Sequence, residues 1–96
     1  MVTVWSKRAK LSLQKAFEFI AKDSIQNATK VRDEIINISI ELLRHPEMFP
    51  PDKYKSNNDG NWRAFEKHRY RISYRVMPNE IRIVRMRHTS RSPLVY

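Results

Sequence analysis

Side chains suited to phosphodiester chemistry are concentrated in residues 61–96 of this 96-residue chain. Cleaving RNA without a metal needs a base for the 2′-hydroxyl, cations for the phosphorane charge and an acid for the leaving oxygen. Histidine suits either proton role near neutrality, so His88 is the candidate for proton transfer. Arginines would supply the positive charge, and a tyrosine would stack on a base or donate a proton. The candidates are Arg63, Arg69, Arg71, Arg75, Arg82, His88, Arg91 and Tyr96.

Positive charge is concentrated in the same part of the chain. The net charge is +9, and residues 61–96 carry nine Lys and Arg against two Asp and Glu, a net +7. Eight of these nine cations are arginines, whose planar fork matches phosphate geometry and stacks on bases. This clustering predicts an anionic partner, nucleic acid first and an acidic protein second. The alternative is a basic surface that only keeps the chain soluble.

Composition excludes several other kinds of chemistry. The chain has no cysteine and one glycine, so it holds no thiol nucleophile, no disulfide and no Gly-rich phosphate loop. The three histidines are not spaced as metal ligands, and we expect no metal and no cofactor. No apolar run approaches the roughly 20 residues that span a bilayer, and the N-terminus does not resemble a signal peptide. We therefore expect a cytoplasmic protein with no membrane partner.

A β-hairpin over residues 70–88 is the element that must position most of the candidates. Residues 70–76 alternate strictly between apolar and polar side chains, which is the period of a half-buried strand. Pro78 disfavours a two-residue turn, because such turns need positive φ angles and proline has a fixed negative φ. Proline is accepted in a four-residue loop over 77–80 that is built on a type I turn.

The loop length fixes the predicted register of the hairpin. A four-residue loop pairs Val76 with Ile81 and places Arg71 and His88 on the same face of the sheet. A three-residue loop with a bulge is the alternative, and it would shift the register by one residue. We prefer the first register because it brings two candidate catalytic residues together.

Two helices and two further strands complete the predicted architecture. The predicted elements are a strand at 2–5, a helix at 7–22 capped by Ser6, a helix after Asp23–Ser24 that ends at Arg44–His45, a loop at 46–61 and a strand at 62–66 before the hairpin. The order β-α-α-β-β-β predicts a single α+β domain over 1–96. A helical hairpin packs on one face of a mostly antiparallel four-stranded sheet, and the arginine-rich face is exposed.

The candidate residues also have simpler interpretations. His88, at a strand end, fits an ordinary hydrogen-bonded histidine. Arg75 and Arg82 face each other across the predicted hairpin, which indicates solvent exposure or a partner. The aromatic residues predicted to be core rather than stacking platforms are Trp5, Tyr70 and Tyr74. The carboxylates predicted to be ordinary surface residues rather than general bases are Glu47, Asp52 and Glu66.

The element order and four short motifs resemble the RelE/ParE superfamily of bacterial type II toxins. The motifs are the opening VTVWS, LLRHP at the end of the second helix, YRISYRV in the hairpin and the closing RMRHTSRSPLVY. Together they span nearly the whole chain. The resemblance implies a cytoplasmic toxin made with a cognate antitoxin that covers its active face. We expect the antitoxin to contribute an acidic segment that orders on binding.

Within the superfamily, two targets compete. RelE-like members cleave mRNA, most of them in the ribosomal A site, whereas ParE-like members inhibit DNA gyrase and are not nucleases. Arg71 matches the catalytic-face arginine of RelE-like members, Tyr96 resembles their late tyrosine, and His88 resembles a last-strand histidine of some ribonuclease members. Arg63 stands where RelE itself has a lysine, and Arg91 aligns loosely with an arginine that precedes the tail.

The sequence therefore favours a metal-free, ribosome-dependent mRNA endoribonuclease. Its predicted catalytic residues are Arg71, His88 and Tyr96, which hold the phosphate, transfer a proton and orient or stack a base, respectively. The residues predicted to bind the nucleic acid are Arg63, Arg69, Arg75, Arg82 and Arg91. Inhibition of DNA gyrase is the alternative, and a passive nucleic-acid-binding module is a third possibility of another class.

Overall fold

Both helices begin at serine caps; the cap of the first was predicted, and for the second the sequence left Asp23 and Ser24 as alternatives. In the computed structural model, which describes residues 1–96, α1 spans Lys7–Ala21 and α2 spans Ile25–Glu41. Ser6 caps α1 and Ser24 caps α2. The hydroxyl of each cap accepts a hydrogen bond from the backbone N–H three residues on, at 3.1 and 3.0 Å. These bonds satisfy donors that the first turn of a helix leaves unpaired.

The second helix ends three residues earlier than predicted. Its last residue is Glu41. The N–H groups of Leu43 and Arg44 then donate to carbonyls three residues back, both at 3.0 Å, so the chain continues as a tighter turn towards Pro46. Neither helix has the length and apolar character needed to cross a membrane.

Four strands form one mixed sheet. They are β1 (Val2–Trp5), β2 (Trp62–Lys67), β3 (Tyr70–Val76) and β4 (Glu80–His88), and they lie in the order β1-β4-β3-β2. β1 runs parallel to β4, and the other two pairs are antiparallel. The predicted α+β class and element order are confirmed, with one parallel pair at the edge of the sheet.

The hydrophobic core lies between the helices and one face of the sheet. Trp5 packs at its margin, and Tyr70 and Tyr74 are buried in it, as predicted. The Tyr74 hydroxyl donates to the carbonyl oxygen of Pro46 at 2.8 Å, which satisfies its polar end inside the core. The large, fully buried apolar and aromatic side chains are Tyr74, Ile35, Leu42, Ile72, Ile81 and Ile83.

The first half of the β3–β4 hairpin has the predicted register. Val76 lies opposite Ile81 and Tyr74 lies opposite Ile83. The connecting loop over 77–80 is closed by a hydrogen bond from the N–H of its first residue to the carbonyl of its last, at 2.9 Å. The four-residue loop is therefore confirmed.

The second half of the hairpin differs because of a β-bulge. Val84 has no partner on β3, and the register shifts by one residue beyond it. Arg71 then lies opposite Arg87, and His88 lies opposite the core residue Tyr70. Since neighbours alternate between faces, Arg71 and His88 lie on opposite faces of the sheet. The prediction that they share a face is wrong.

The face of the sheet opposite the helices is largely covered. The loop after α2 and the C-terminal tail both fold over it. The Asp52 N–H donates to the Trp62 carbonyl at 2.7 Å, and the Tyr96 N–H donates to the Tyr54 carbonyl at 3.0 Å. Ser73, which points to this face, is buried. The face is arginine-rich as predicted, because Arg71, Arg75 and Arg82 lie on it with Ser73. The prediction that this face is open is wrong.

Candidate functional site

A buried carboxylate is the centre of a polar network on the covered face. The side chain of Asp52 is 1% exposed. Its Oδ1 accepts hydrogen bonds from Arg71 Nη2 at 2.7 Å and from the Tyr54 N–H at 3.0 Å. Its Oδ2 accepts from the Ser73 hydroxyl at 3.0 Å and from the Tyr96 hydroxyl at 2.6 Å. Asp52, Arg71, Ser73 and Tyr96 form the Asp52 network.

Three separate segments bring these side chains together. Arg71 and Ser73 are two residues apart on β3, so they share a face. Asp52 lies in the loop after α2, where Asn58 Nδ2 donates to the Asp52 carbonyl at 3.2 Å and to the Trp62 carbonyl at 2.7 Å. The tail supplies the tyrosine. The network therefore depends on long-range packing of the whole chain.

Arg71 is occupied within the protein. Besides the bond to Asp52, its Nη1 donates to Glu66 Oε2 at 3.1 Å. Its guanidinium lies 4.9 Å from the centre of the Tyr54 ring. Nε is buried and has no protein acceptor. Two carboxylates thus neutralise the arginine that resembles the catalytic arginine of RelE-like toxins.

The network changes the proton affinity of its members. Burial alone raises the pKa of Asp52, but the hydrogen bonds from Tyr96, Arg71, the Tyr54 N–H and Ser73 outweigh it and hold the pKa below its ordinary value. Burial and the bond to Asp52 raise the pKa of Tyr96 to about 12. Asp52 is therefore an anion and Tyr96 a neutral donor at neutral pH.

Aromatic rings fix the tail against the sheet. The Tyr96 and Trp62 rings make an edge contact, with their centres 5.8 Å apart. The Arg85 guanidinium lies 4.4 Å from the centre of the Tyr96 ring, and the Arg75 guanidinium lies 4.9 Å from the Trp62 ring. These contacts are cation–π interactions, so the rings already have cationic partners within the chain.

His88 makes its closest contacts away from this network. Its ring packs edge-on against Tyr70, with the ring centres 5.0 Å apart. Its Nδ1 accepts a hydrogen bond from the Ser90 N–H at 3.0 Å and lies 2.7 Å from the Ser90 hydroxyl oxygen. A ring nitrogen that accepts from a backbone N–H carries no hydrogen. In this conformation Nδ1 is therefore occupied by Ser90, and Nε2 is the ring nitrogen left for another partner.

One cavity nevertheless brings four of the predicted residues to its walls. It has a volume of about 240 Å³, and Arg71, His88, Arg91 and Tyr96 line it together with Asp52. His88 reaches the cavity from the end of β4. No group of three or more His, Asp or Glu side chains lies close enough to hold a metal ion.

Two of the predicted nucleic-acid-binding arginines have partners inside the protein. Arg63 Nη1 donates to the Phe49 carbonyl at 2.7 Å, and its Nε donates to the Gly60 carbonyl at 3.1 Å. These bonds hold the loop after α2 against β2. Arg82 forms an ion pair with Glu80 at 2.8 Å. Neither guanidinium is fully available to an external phosphate.

The other three predicted nucleic-acid-binding arginines do not form one surface. Arg69 is exposed in the β2–β3 turn, where its φ is +68°. Arg75 lies at the other end of β3, opposite Arg82 as predicted. Arg91 is exposed on the tail. The predicted set is therefore divided between the two ends of the hairpin.

Asp52, Arg85 and Arg87 also line the cavity, but none of them is among the site residues predicted from the sequence. Asp52 is predicted to be a surface carboxylate, and its partners are too distant in sequence to reveal its burial. A signal for the two arginines was present, because two apolar residues, Ile83 and Val84, are adjacent in β4 between Ile81 and Met86. That break in alternation indicates a bulge.

Comparisons with known proteins define the class first. The architecture is similar to a solved chain described as "Chromosomal ParDE TA system from P. aeruginosa", with a TM-score of 0.70 and 18% identity over 92% of this chain and 95% of that chain. At this identity the likeness concerns the fold, which is that of the RelE/ParE superfamily.

The sequence profile of one family then matches almost the whole chain. It is described as the ParE toxin of the type II toxin-antitoxin system parDE, and it matches residues 3–93. This chain belongs to the ParE toxin family. A search among curated proteins found no match.

Proposed function

We propose that this chain is the toxin of a type II toxin–antitoxin pair and that it arrests growth by binding DNA gyrase rather than by cutting RNA. Its family supports a ParE-like target. The observation that carries the proposal is the bonding of Arg71 to Asp52 and Glu66 at 2.7 and 3.1 Å. The arginine needed to stabilise a cleaved phosphate is already neutralised by two carboxylates.

The chemistry of the Asp52 network supports the same conclusion. A phosphate entering beside Arg71 meets the anionic Asp52, which repels it and competes for the same guanidinium. The pKa of Tyr96, about 12, makes this hydroxyl a poor proton donor near neutrality. The network is better suited to fixing the tail and the loop after α2 than to phosphodiester chemistry.

The ribonuclease is the second candidate function. It is favoured by the 240 Å³ cavity, which brings Arg71, His88 and Tyr96 to common walls. In this candidate, RNA binding must displace Asp52 from Arg71, and His88 must give up its contact with Ser90 to act on a proton. Neither rearrangement is needed by a toxin that works through a protein surface.

A direct experiment separates the two targets. The chain is induced in growing bacteria, and within minutes mRNA 5′ ends are mapped while a DNA-damage reporter is followed. In parallel, the purified toxin is added to a gyrase supercoiling reaction. We expect a DNA-damage response, inhibited supercoiling and no new mRNA ends. New ends inside translated frames with unaffected gyrase would overturn the proposal.

The matched variant for this experiment is His88→Gln. The side chain is half-buried and its polar contacts are to Ser90, so the change preserves polarity with little cost to the fold. A gyrase inhibitor retains toxicity, whereas a ribonuclease that uses the ring loses roughly 10²–10⁴-fold in rate. Arg71→Ala is less informative, because it leaves Asp52 buried without its cation.

We also propose that the cognate antitoxin binds through an acidic segment. The support is the net charge of +9, of which +7 lies in residues 61–96. Charge-driven binding weakens as salt screens it. Affinity for the co-purified antitoxin should therefore fall clearly between low and physiological salt, and affinity that does not change with salt would count against an acidic segment.

A further inference from the structure

A groove beside the end of β4 gathers uncompensated positive charge. It has a volume of about 620 Å³ and lies between α1 and the last residues of the sheet. No Asp or Glu is among its thirteen lining residues. Five cations on its walls form the basic groove: Arg8, Lys15, Arg85, Arg87 and Arg91.

None of these five cations has an acidic partner. The ion pairs of the structure use other basic residues, namely Arg32, His68, Arg71 and Arg82.

The two β4 arginines of the groove contact a carbonyl oxygen and an aromatic ring rather than a carboxylate. Arg87 Nε donates to the Ser92 carbonyl at 3.0 Å. Arg85 lies against the Tyr96 ring, and its Nη1 is buried without a protein acceptor. Like charges gathered in one groove repel each other, and a buried donor without an acceptor is costly. An external anion in the groove would relieve the repulsion between the cations.

The fold itself leaves this groove open. β1 pairs with β4 only as far as Ile83, so no strand covers the outer edge of β4 beyond the bulge at Val84. Ser6 fixes the start of α1 at this point, because its hydroxyl donates to the Val84 carbonyl at 3.0 Å. The end of β4 and the first turns of α1 therefore face each other across the groove.

We propose that the basic groove binds the phosphate backbone of a nucleic acid strand. Eight of its thirteen lining residues are polar or charged, which suits a phosphodiester chain better than an apolar peptide face. Four of its five cations are arginines, which bind phosphate in a forked geometry. The contact is to the backbone, so it is independent of base sequence.

This inference goes beyond the proposed function. It concerns the basic groove rather than the Asp52 network, although three groove cations, Arg85, Arg87 and Arg91, also line the cavity that holds Asp52. Of the five groove cations, only Arg91 is among the predicted binding residues. The test contains no gyrase, no ribosome and no antitoxin. Its outcome is therefore independent of whether the toxin acts on gyrase or on the ribosome. An acidic protein segment is the competing occupant.

The test measures binding of short fluorescent DNA strands, single and duplex, to the purified chain by anisotropy at several salt concentrations. The groove variants are Arg87→Gln and Lys15→Gln. The matched control is Arg44→Gln, which removes the same charge from an exposed residue outside the groove. Circular dichroism and thermal unfolding of every variant establish that the fold is intact.

We expect the groove variants to weaken duplex binding several-fold. Each should also reduce the slope of log affinity against log salt by about 0.9, the value for one lost phosphate contact. The control should stay within twofold of the parent. Equal effects of control and groove variants would overturn the proposal, as would binding of a glutamate-rich peptide that depends on the groove while DNA binding does not.

Discussion

Two arginine-rich regions of the same sheet have opposite electrostatic character. In the Asp52 network, Arg71 is bonded to two carboxylates and packed under the tail. In the basic groove, five cations share one space with no acidic residue. The residue type is the same, but the partner decides what each arginine can do. The network stabilises the fold, whereas the groove leaves its positive charge available to a ligand.

This difference separates structural from functional charge in a chain with 19 Lys and Arg. A count of arginines along the sequence treats both regions alike. The electrostatic potential at the surface differs between the two regions, because a neutralised guanidinium adds little to it. The groove gathers three of the nine basic residues of 61–96, namely Arg85, Arg87 and Arg91, and no ion pair neutralises them.

The largest expected effect comes from Asp52→Ala. Removing the carboxylate leaves Arg71, whose side chain is 20% exposed, without its closest counter-charge, and also removes the acceptor of Ser73 and Tyr96. Breaking one side of a buried ion pair costs about 3 kcal/mol of unfolding free energy. Urea denaturation measures it. The control is Asp33→Ala, whose exposed pair with Arg32 is worth less than about 1 kcal/mol.

Acid should weaken the same network. The pKa of Asp52 is lower in the folded chain than in the unfolded one, so its contribution to stability is complete above the unfolded pKa of about 4. It is lost as the pH falls through the lower, folded value. Thermal unfolding between neutral and strongly acidic pH should show this loss, and the Asp52→Ala variant should show a smaller one. Equal slopes for both proteins would contradict the assignment.

Tyr96→Phe should have a smaller effect at neutral pH, about 1 kcal/mol for a lost hydrogen bond. The contribution of Tyr96 to stability should also depend on pH in the alkaline range. The pKa of Tyr96 is raised from 10.0 to about 12 in the folded chain, so this stabilising term is complete below pH 10 and is lost as the pH rises towards 12. Burial also raises the pKa of Tyr70 and of Tyr74, so the ultraviolet titration of the parent is compared with that of the Tyr96→Phe variant. The difference between the two curves should correspond to one phenol that ionises near pH 12.

The sequence predicts most of the fold because its signals are local. Ser6 and Ser24 each precede a run of helical periodicity, and both act as caps. Pro78 selects the loop of the hairpin, and the pairing of Val76 with Ile81 follows from it. Each of these features depends on a few neighbouring residues, so the physical cause is visible in the sequence itself.

The site was harder to predict because it depends on distant contacts. Asp52 meets Tyr96 across 44 residues, and nothing near either residue indicates that they touch. The bulge at Val84 inserts an apolar residue that suits a strand equally well in either register, and it moves His88 to the other face from Arg71. The predicted catalytic roles of Arg71, His88 and Tyr96 remain predictions.

The smallest expected effect distinguishes the two arginine regions most directly. Arg87→Gln removes a guanidinium whose one hydrogen bond is to an exposed carbonyl on the tail, so unfolding free energy should change by less than about 0.5 kcal/mol. It also relieves repulsion from the other groove cations, and a slight gain in stability at low salt is expected.

Arg71→Gln is the matched comparison, because it removes the same charge from the neighbouring strand, directly opposite Arg87. It should destabilise clearly, since it leaves Asp52 buried and without its cation. Paired urea titrations of the two variants measure the difference. If both variants unfold alike, the partner of each arginine does not set its role, and the distinction between network and groove fails.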